Sequence, residues 1–296
     1  MLNAAVREDG IERGLSALLV ESERVSRFGF TASELDRQKR DLLRDVERLY
    51  LEREKQDSGL HAAECIRNFL EAEPMPGIAY EFELHKRFVP EIALEEVNAL
   101  ARRWAVDRNR IVLVNAPEKA GVRVPGEADL RAVIDAVRSR EITAYVDTVA
   151  EKPLLAEPPA PGAIAGTKTV AAVGVTEWTL ANGVRVIVKP TDFQQDQVLV
   201  QAFSPGGASL AGDEAYIPAV TATMVVSAGG LGSFSAVDLR KLLAGKAANV
   251  RPTISNLEEG VSGNASPKDL EALFQLIYLT FTAPRGFWRY TFDTQF

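Results

Sequence analysis

The sequence is poor in the residues that carry metal and hydrolytic chemistry. It contains one cysteine, Cys65, and two histidines, His61 and His85, among 296 residues. A single cysteine excludes an intrachain disulfide, so the redox compartment is not readable from this residue type. No histidine follows His85, and a serine nucleophile in the second half of the chain therefore has no histidine base from the same half.

Signatures of nucleic-acid binding, membrane insertion and secretion are also missing. A net charge of -7 with a pI near 5.2 and no block of Lys or Arg argues against a nucleic-acid partner, because phosphate binding needs a basic face. No stretch approaches the roughly 18 to 20 apolar residues needed to span a bilayer. Residues 1–10 lack a basic cluster followed by an apolar core, so we expect no secretory signal on the chain as given, and the compartment stays unassigned.

What is present is ordinary globular material, with 46% apolar and 25% charged side chains. A chain of this length predicts two domains. Four prolines lie among Ala and Gly residues between positions 151 and 166, and this composition predicts an extended, semi-rigid linker between the two domains. We therefore divide the chain into a first domain at 1–150, a linker at 151–175, a second domain at 176–285 and an atypical aromatic tail at 286–296.

The first half is mainly helical. Apolar spacing predicts helices near 11–29, 31–50, 59–73, 93–106 and 128–137. Thr31 and Glu34 form a capping-box pattern at the start of the second helix. That helix places Leu35, Leu42, Val46, Leu49 and Tyr50 on one face and charged residues on the other, namely Asp36, Arg37, Lys39, Arg40, Arg44, Asp45, Glu47 and Arg48. We interpret the charged face as solvated rather than as a binding site.

One segment of the first half has the pattern of a buried strand. Ile111, Val112, Leu113 and Val114 are four consecutive branched apolar residues after a helix. Such a run predicts a strand covered on both faces, as in a mixed sheet packed against helices.

The second half alternates strands and helices. Asn182 and Gly183 lie between two strand-like runs and predict a tight hairpin. The order strand, strand, helix, helix, strand, strand, helix then predicts an α+β unit with helices on one face of a mainly antiparallel sheet. Ser266 and Pro267 start the last helix, whose predicted buried stripe is Leu270, Leu273, Phe274, Ile277 and Phe281.

A metal site is the first chemical hypothesis to weigh. His61, Glu64 and Cys65 lie within one helical turn, and His and thiolate are good zinc ligands. Zinc peptidases carry a related H-x-x-E-H pattern, but here a cysteine stands in place of the last histidine. Zinc sites need at least three protein ligands, and nothing nearby completes the set. The alternative is a helix on which Cys65 packs as a small apolar residue while His61 and Glu64 face solvent.

Longer stretches of sequence resemble the insulinase/pitrilysin family of zinc endopeptidases. In the second half these are EWTLANGVRVIVKPTD, VLVQAFSPGGASLAGDEAYIPA, SAVDLRKLLAGK and GNASPKDL. In the first half, GFTASELDRQKRDLLRDVERLYLEREK and LEEVNALARRWAVDRNRIVLVNAPEK are similar to the preceding domain of the same family. The two matches occur in the family's order and cover nearly the whole chain to residue 285.

The resemblance implies a four-domain parent whose two halves close into a chamber around a peptide. The chain would then supply part of the second domain and part of the inactive third domain, both of the metallopeptidase α/β type, with a mainly antiparallel sheet and helices on one face. Where the zinc helix would lie, Val220, Thr223 and Met224 occupy the positions of the two histidines and the glutamate. The resemblance therefore implies no catalytic, cofactor-binding or metal residue in this chain, with zinc held elsewhere in the parent enzyme.

We accordingly expect a non-catalytic part of an insulinase-like zinc metalloendopeptidase that forms the wall and peptide-binding surface of the proteolytic chamber. Its partners would be peptide or unfolded protein substrate and the zinc-bearing half of the peptidase, in cis or in trans. The alternative is a structural subunit that pairs with a separate zinc-bearing chain. Many resembling bacterial enzymes are periplasmic. The tail at 286–296, rich in aromatic residues, departs from the family pattern and indicates a truncated or frameshifted reading frame.

Overall fold

The computed structural model describes residues 2–104, 106, 108–148 and 152–285. Within these residues the chain forms two compact units. The first unit comprises 2–39 and 87–148, and the second comprises 40–86 and 152–285. The predicted tail at 286–296 lies outside the described residues. The boundaries proposed for the domains stay a prediction.

The described residues form nine α-helices and six β-strands. The helices are α1 (Ile11–Phe28), α2 (Ala32–Leu51), α3 (Ser58–Glu71), α4 (Ile78–Phe88), α5 (Leu94–Trp104), α6 (Glu127–Arg138), α7 (Tyr216–Gly229), α8 (Ala236–Leu242) and α9 (Leu270–Thr282). The strands are β1 (Ile164–Val170), β2 (Val175–Leu180), β3 (Arg185–Val188), β4 (Val198–Pro205), β5 (Ala248–Ile254) and β6 (Glu258–Ala265). The predicted α+β class is confirmed. Helix α4 and strand β1 were not predicted, and β1 lies inside the segment interpreted as a linker.

The start of α2 has the predicted capping box. The Thr31 backbone N–H donates to Glu34 Oε2 at 2.8 Å, and the Glu34 backbone N–H donates to Thr31 Oγ1 at 3.3 Å. Each side chain thus satisfies a backbone donor that the first helical turn leaves free.

The first unit is held by α1, which packs against α6 and α5. Val20, Val137 and Ile142 form a small buried cluster between these elements. Arg27 donates to the carbonyl oxygens of Arg138 and Arg140 at 3.2 and 3.1 Å. The guanidinium therefore fastens the carboxyl end of α6 to α1.

The prediction of a buried strand at residues 111–114 is wrong. The segment is extended but carries no strand pairing, and Ile111 and Leu113 are 91% and 81% exposed. Among the described residues of the first unit there is no strand with which it would pair. Branched apolar residues form a buried strand only where neighbouring strands and covering layers are present; here Val112 and Val114 are half-buried on one side, but no strand of the first unit's described residues pairs with the segment.

The second unit contains two antiparallel sheets with three strands each. The first sheet has the order β1-β2-β3, and the second has the order β4-β6-β5. The predicted hairpin joins β2 to β3, with Gly183 at a φ of 86°. Val184 N–H donates to Asn182 Oδ1 at 3.2 Å and stabilises the turn.

Helices α7 and α9 pack against the second sheet, on β5 and, for α9, also on β6. The predicted stripe of α9 is wrong at Phe274 and Phe281, which are 54% and 62% exposed, whereas Leu273 is buried and Leu270 and Ile277 are half-buried. Its buried residues are Ala272, Leu273, Leu276, Leu279 and Thr280. Nearly every position of this helix is apolar, so periodicity in the sequence did not indicate which face would turn towards the sheet.

Candidate functional site

The helix carrying the hypothetical metal ligands is open to solvent. His61 and Cys65 on α3 are exposed, Glu64 is half-buried, and α3 has no buried residue. The expectation that Cys65 packs as a core residue is wrong, because no element covers its side of the helix. His85 Nδ1 lies 2.7 Å from the carbonyl oxygen of Glu81 on its own helix, α4. In the described part of the chain, no group of three His, Cys, Asp or Glu side chains is placed to hold a metal ion.

Helix α7 stands where the family resemblance places the zinc helix. Val220 and Thr223 are half-buried, and Met224 is 71% exposed. A branched alkyl group, a hydroxyl and a thioether do not fit zinc, which takes imidazole, carboxylate or thiolate ligands in proteins. The hydroxyl of Ser227, one turn further on, donates to the carbonyl oxygen of Thr223 at 2.7 Å. The polar groups of this segment thus satisfy the helix backbone and leave no activated nucleophile.

The second sheet has one covered face and one open face. Gly263 lies on the covered face, because a Cβ built there would approach Leu273 of α9 to 2.9 Å. Since side chains alternate along a strand, the opposite parity forms what we call the open sheet face. Its members are Leu199, Gln201 and Phe203 of β4, Ser262 and Asn264 of β6, and Asn249, Arg251 and Thr253 of β5.

These side chains form cross-strand rows. Gln201 is opposite Ser262, which is opposite Arg251, and the row contains hydroxyl, amide and guanidinium groups. Leu199 and Phe203 flank this row on β4 and are 71% and 67% exposed. Hydrogen-bonding groups between apolar side chains are suited to contact with a polypeptide, whose backbone is polar and whose side chains vary.

The second unit also contains a partly buried cluster of charged side chains, which the sequence did not predict. Arg44 of α2 forms ion pairs with Asp196 and Glu47, and Lys268 also pairs with Glu47. We call these four residues the Arg44 cluster. The side chains of Arg44 and Asp196 are only 6% and 7% exposed. The interpretation of this charge run as a wholly solvated face is therefore wrong at Arg44, because the segment before β4 covers it.

Neighbouring contacts reinforce the attachment of α2. Glu52 Oε1 accepts the backbone N–H groups of Gln195 and Asp196 at 2.9 and 2.6 Å. Asp41 Oδ1 accepts the N–H of Gly245 at 2.6 Å. The carboxyl half of α2 and Glu52, the residue that follows it, thus bind two separate segments of the second half of the sequence. Partners this far apart in sequence leave no local signal, so their pairing was not predictable from spacing.

The electrostatics of the cluster favour its ionised form. The hydrogen bond from Lys268 is the main reason that the pKa of Glu47 lies below its ordinary value, with Arg44 acting in the same direction. Burial opposes ionisation of Asp269, but hydrogen bonds from Ser266 and from the N–H of Ala247 still lower the pKa of this carboxyl.

The chain has similar proteins of known name, although no family model matches the sequence. The chain is 29% identical over 263 residues to the zinc protease PQQL-like protein of Arabidopsis thaliana, a match that covers 88% of this chain and 25% of that protein. It is 24% identical over 277 residues to the probable zinc protease PqqL of Escherichia coli K12, covering 92% of this chain and 29% of that protein.

The chain is similar to zinc proteases of the insulinase/pitrilysin type. The fold agrees, since the ferredoxin protease FusC, solved in complex with Arabidopsis ferredoxin, superposes with a TM-score of 0.52 at 20% sequence identity. That superposition covers 94% of this chain and 31% of the FusC chain. The predicted family resemblance is thus confirmed. The chain spans about a quarter of the length of the curated insulinase/pitrilysin-like relatives it matches.

The residues described at the zinc-helix position do not fit zinc and offer no site there for a catalytic metal. In the described residues no helix has the length and hydrophobicity needed to cross a membrane.

Proposed function

We propose that this chain is a non-catalytic part of an insulinase-like zinc metalloendopeptidase and contributes wall and peptide-binding surface to its proteolytic chamber. One observation carries the proposal. The chain is related over most of its length to zinc proteases, yet α7 presents Val220, Thr223 and Met224 where ligands and a catalytic carboxylate are needed. Zinc and the activated water would come from another part of the peptidase, in cis or in trans.

The open sheet face is the surface we assign to peptide. Its central row supplies hydrogen-bonding groups, and Arg251 at one end adds a positive charge that attracts acidic segments. The structural neighbour FusC is named a ferredoxin protease and was solved in complex with ferredoxin, a protein. We propose the same class for the parent of this chain, a protein or peptide substrate that contacts the side chains of this face.

The first experiment measures metal content and cleavage. The purified chain, dialysed against metal-free buffer and then zinc, should hold far less than one zinc per molecule and should leave unfolded plant ferredoxin intact. Cleavage that a chelator abolishes would refute the proposal, since the chain would then contain its own catalytic site.

The second experiment measures binding to the open sheet face. Fluorescence anisotropy of labelled ferredoxin peptides should report binding that Arg251→Glu weakens several-fold. Arg240→Glu is the matched control, because it makes the same charge change on α8 and not on this face. Equal weakening by both variants would mean that net charge, not the open sheet face, governs binding.

The alternative hypothesis, a structural subunit that pairs with a separate zinc-bearing chain, differs from the first in where the zinc-bearing part is encoded. An H-x-x-E-H helix encoded upstream in the same gene supports action in cis. A separate complete gene, whose purified product gains peptidase activity when this chain is added, supports the paired subunit instead.

A further inference from the structure

Strand β4 is an edge strand whose outer backbone is free to pair. In the described part of the chain it is joined to β6 on one side and to no strand on the other. Gly206 N–H donates to the carbonyl oxygen of Leu257 at 2.8 Å, which fixes the hydrogen-bonding parity of the ladder. Hydrogen-bonded and non-bonded pairs alternate in an antiparallel ladder. Leu199, Gln201 and Phe203 therefore direct their N–H and C=O groups away from β6.

The two edges of this sheet are not protected alike. Proteins protect exposed edges with proline, charge or bulges that prevent pairing with another chain. The outer edge of β5 has such protection, because Pro252 occupies a position that points away from β6 and offers no N–H. Of the four outward positions of β4, the first three carry neither proline nor charge, and the fourth, Pro205, lies at the end of the strand.

The outward positions of β4 are complementary to themselves. They read apolar, polar, apolar from Leu199 through Gln201 to Phe203. If a second strand of the same sequence runs antiparallel about Gln201, Leu199 of one copy faces Phe203 of the other, and the two Gln201 side chains face each other. Aromatic and aliphatic pairs across strands stabilise a sheet, and paired amides hydrogen-bond.

We propose that β4 pairs antiparallel with β4 of a second copy of this chain, about a two-fold axis at Gln201. Each facing pair exchanges two backbone hydrogen bonds, so the two three-stranded sheets continue into one. Leu199 and Phe203, now largely exposed, lose apolar surface to the facing strand. The outward pattern of β4 is symmetric about Gln201. This symmetry favours a second copy of the chain as the partner, because pairing with an unrelated peptide would not require it.

The test introduces a charge at residue 201, which lies on the proposed two-fold axis. Light scattering on the full chain, over a dilution series, should give twice the 32.3 kDa of one chain at the higher concentrations. Gln201→Lys and Gln201→Glu, each alone, place like charges opposite each other and should halve that mass. An equimolar mixture of the two variants should restore the dimer, because facing positions then carry opposite charges.

Thr253→Lys is the control, since it adds the same charge to the same sheet face on β5, away from the β4 edge. This variant should remain dimeric, and far-UV circular dichroism should show all variants folded. A wild-type chain that stays monomeric throughout would overturn the proposal. So would a dimer that both Gln201 variants leave intact, or a mixture of them that fails to reassemble.

Discussion

Removing the guanidinium of the Arg44 cluster is the sharpest test of how α2 is attached to the second unit. Arg44→Ala takes away the cation that pairs with Asp196, whose side chain is 7% exposed. The carboxylate then stays in a poorly solvated site without its cation. Glu47 is less affected, because it is more exposed and keeps Lys268.

The expected magnitude follows from burial. Breaking a buried ion pair by removing one partner costs about 3 to 5 kcal/mol, since an uncompensated charge remains. We expect the lower end, about 3 kcal/mol, because Arg44 Nε already lacks a hydrogen-bond partner and the geometry is not fully satisfied. Arg44→Met with Asp196→Leu removes both charges and should recover most of this loss, since apolar replacement of a buried pair is often neutral.

Urea unfolding at pH 7, followed by circular dichroism at 222 nm, measures the free energy of unfolding. Arg48→Ala is the matched control, one turn along the same helix face, where the guanidinium is 58% exposed and 3.8 Å from Asp45. It should change stability by no more than about 0.5 kcal/mol. If Arg44→Ala were as mild as this control, or if the double variant cost the sum of its single changes, the buried pair would not fasten α2.

Three further predictions concern a helix cap, a titrating carboxylate and the zinc-helix position. Ser266→Ala removes the hydroxyl that caps the 3-10 turn leading into the last helix, and we expect a loss of about 1 to 2 kcal/mol, seen as a lower Tm; an unchanged Tm would contradict this. Because the pKa of Glu47 is lowered in the folded state, its contribution is present above the unfolded pKa and is lost as pH falls through the folded one; the stability difference between wild type and Glu47→Gln should therefore shrink below about pH 4, and a constant difference would contradict this. Installing His, Glu and His at Val220, Thr223 and Met224 supplies two zinc ligands and a carboxylate but not the third protein ligand that zinc needs, so calorimetry should show at most weak zinc binding; tight stoichiometric binding would contradict the conclusion that the described residues around α7 offer no further ligand.

Local signals in the sequence were reliable where the stabilising contacts are themselves local. The Thr31 and Glu34 cap, the Asn182–Gly183 turn and the Ser266 cap each involve residues within three or four positions of one another. The chemistry of such contacts depends on residue type and spacing, so they were predicted correctly. The alternation of strands and helices in the second half was predicted for the same reason, although β1 was missed.

Failures occurred where the outcome depends on partners distant in sequence. Residues 111–114 have the composition of a buried strand, but in the described structure no neighbouring strand covers them. Helix α9 is apolar on nearly all sides, so only its packing on β5 and β6 selected the face with Leu273 and Leu276. Arg44 looked like any other charged residue of α2 until Asp196, 152 positions away, was found to cover it.

The sequence by itself indicated the family resemblance, the α+β class, most of the helices and turns and the poverty of metal ligands, because these depend on which residues are present and how they are spaced. The tertiary structure alone decided which faces are covered, which charges are buried and which strand edge is left to pair. Burial is a property of the surroundings rather than of the residue, and these surroundings are assembled from segments that the sequence keeps far apart.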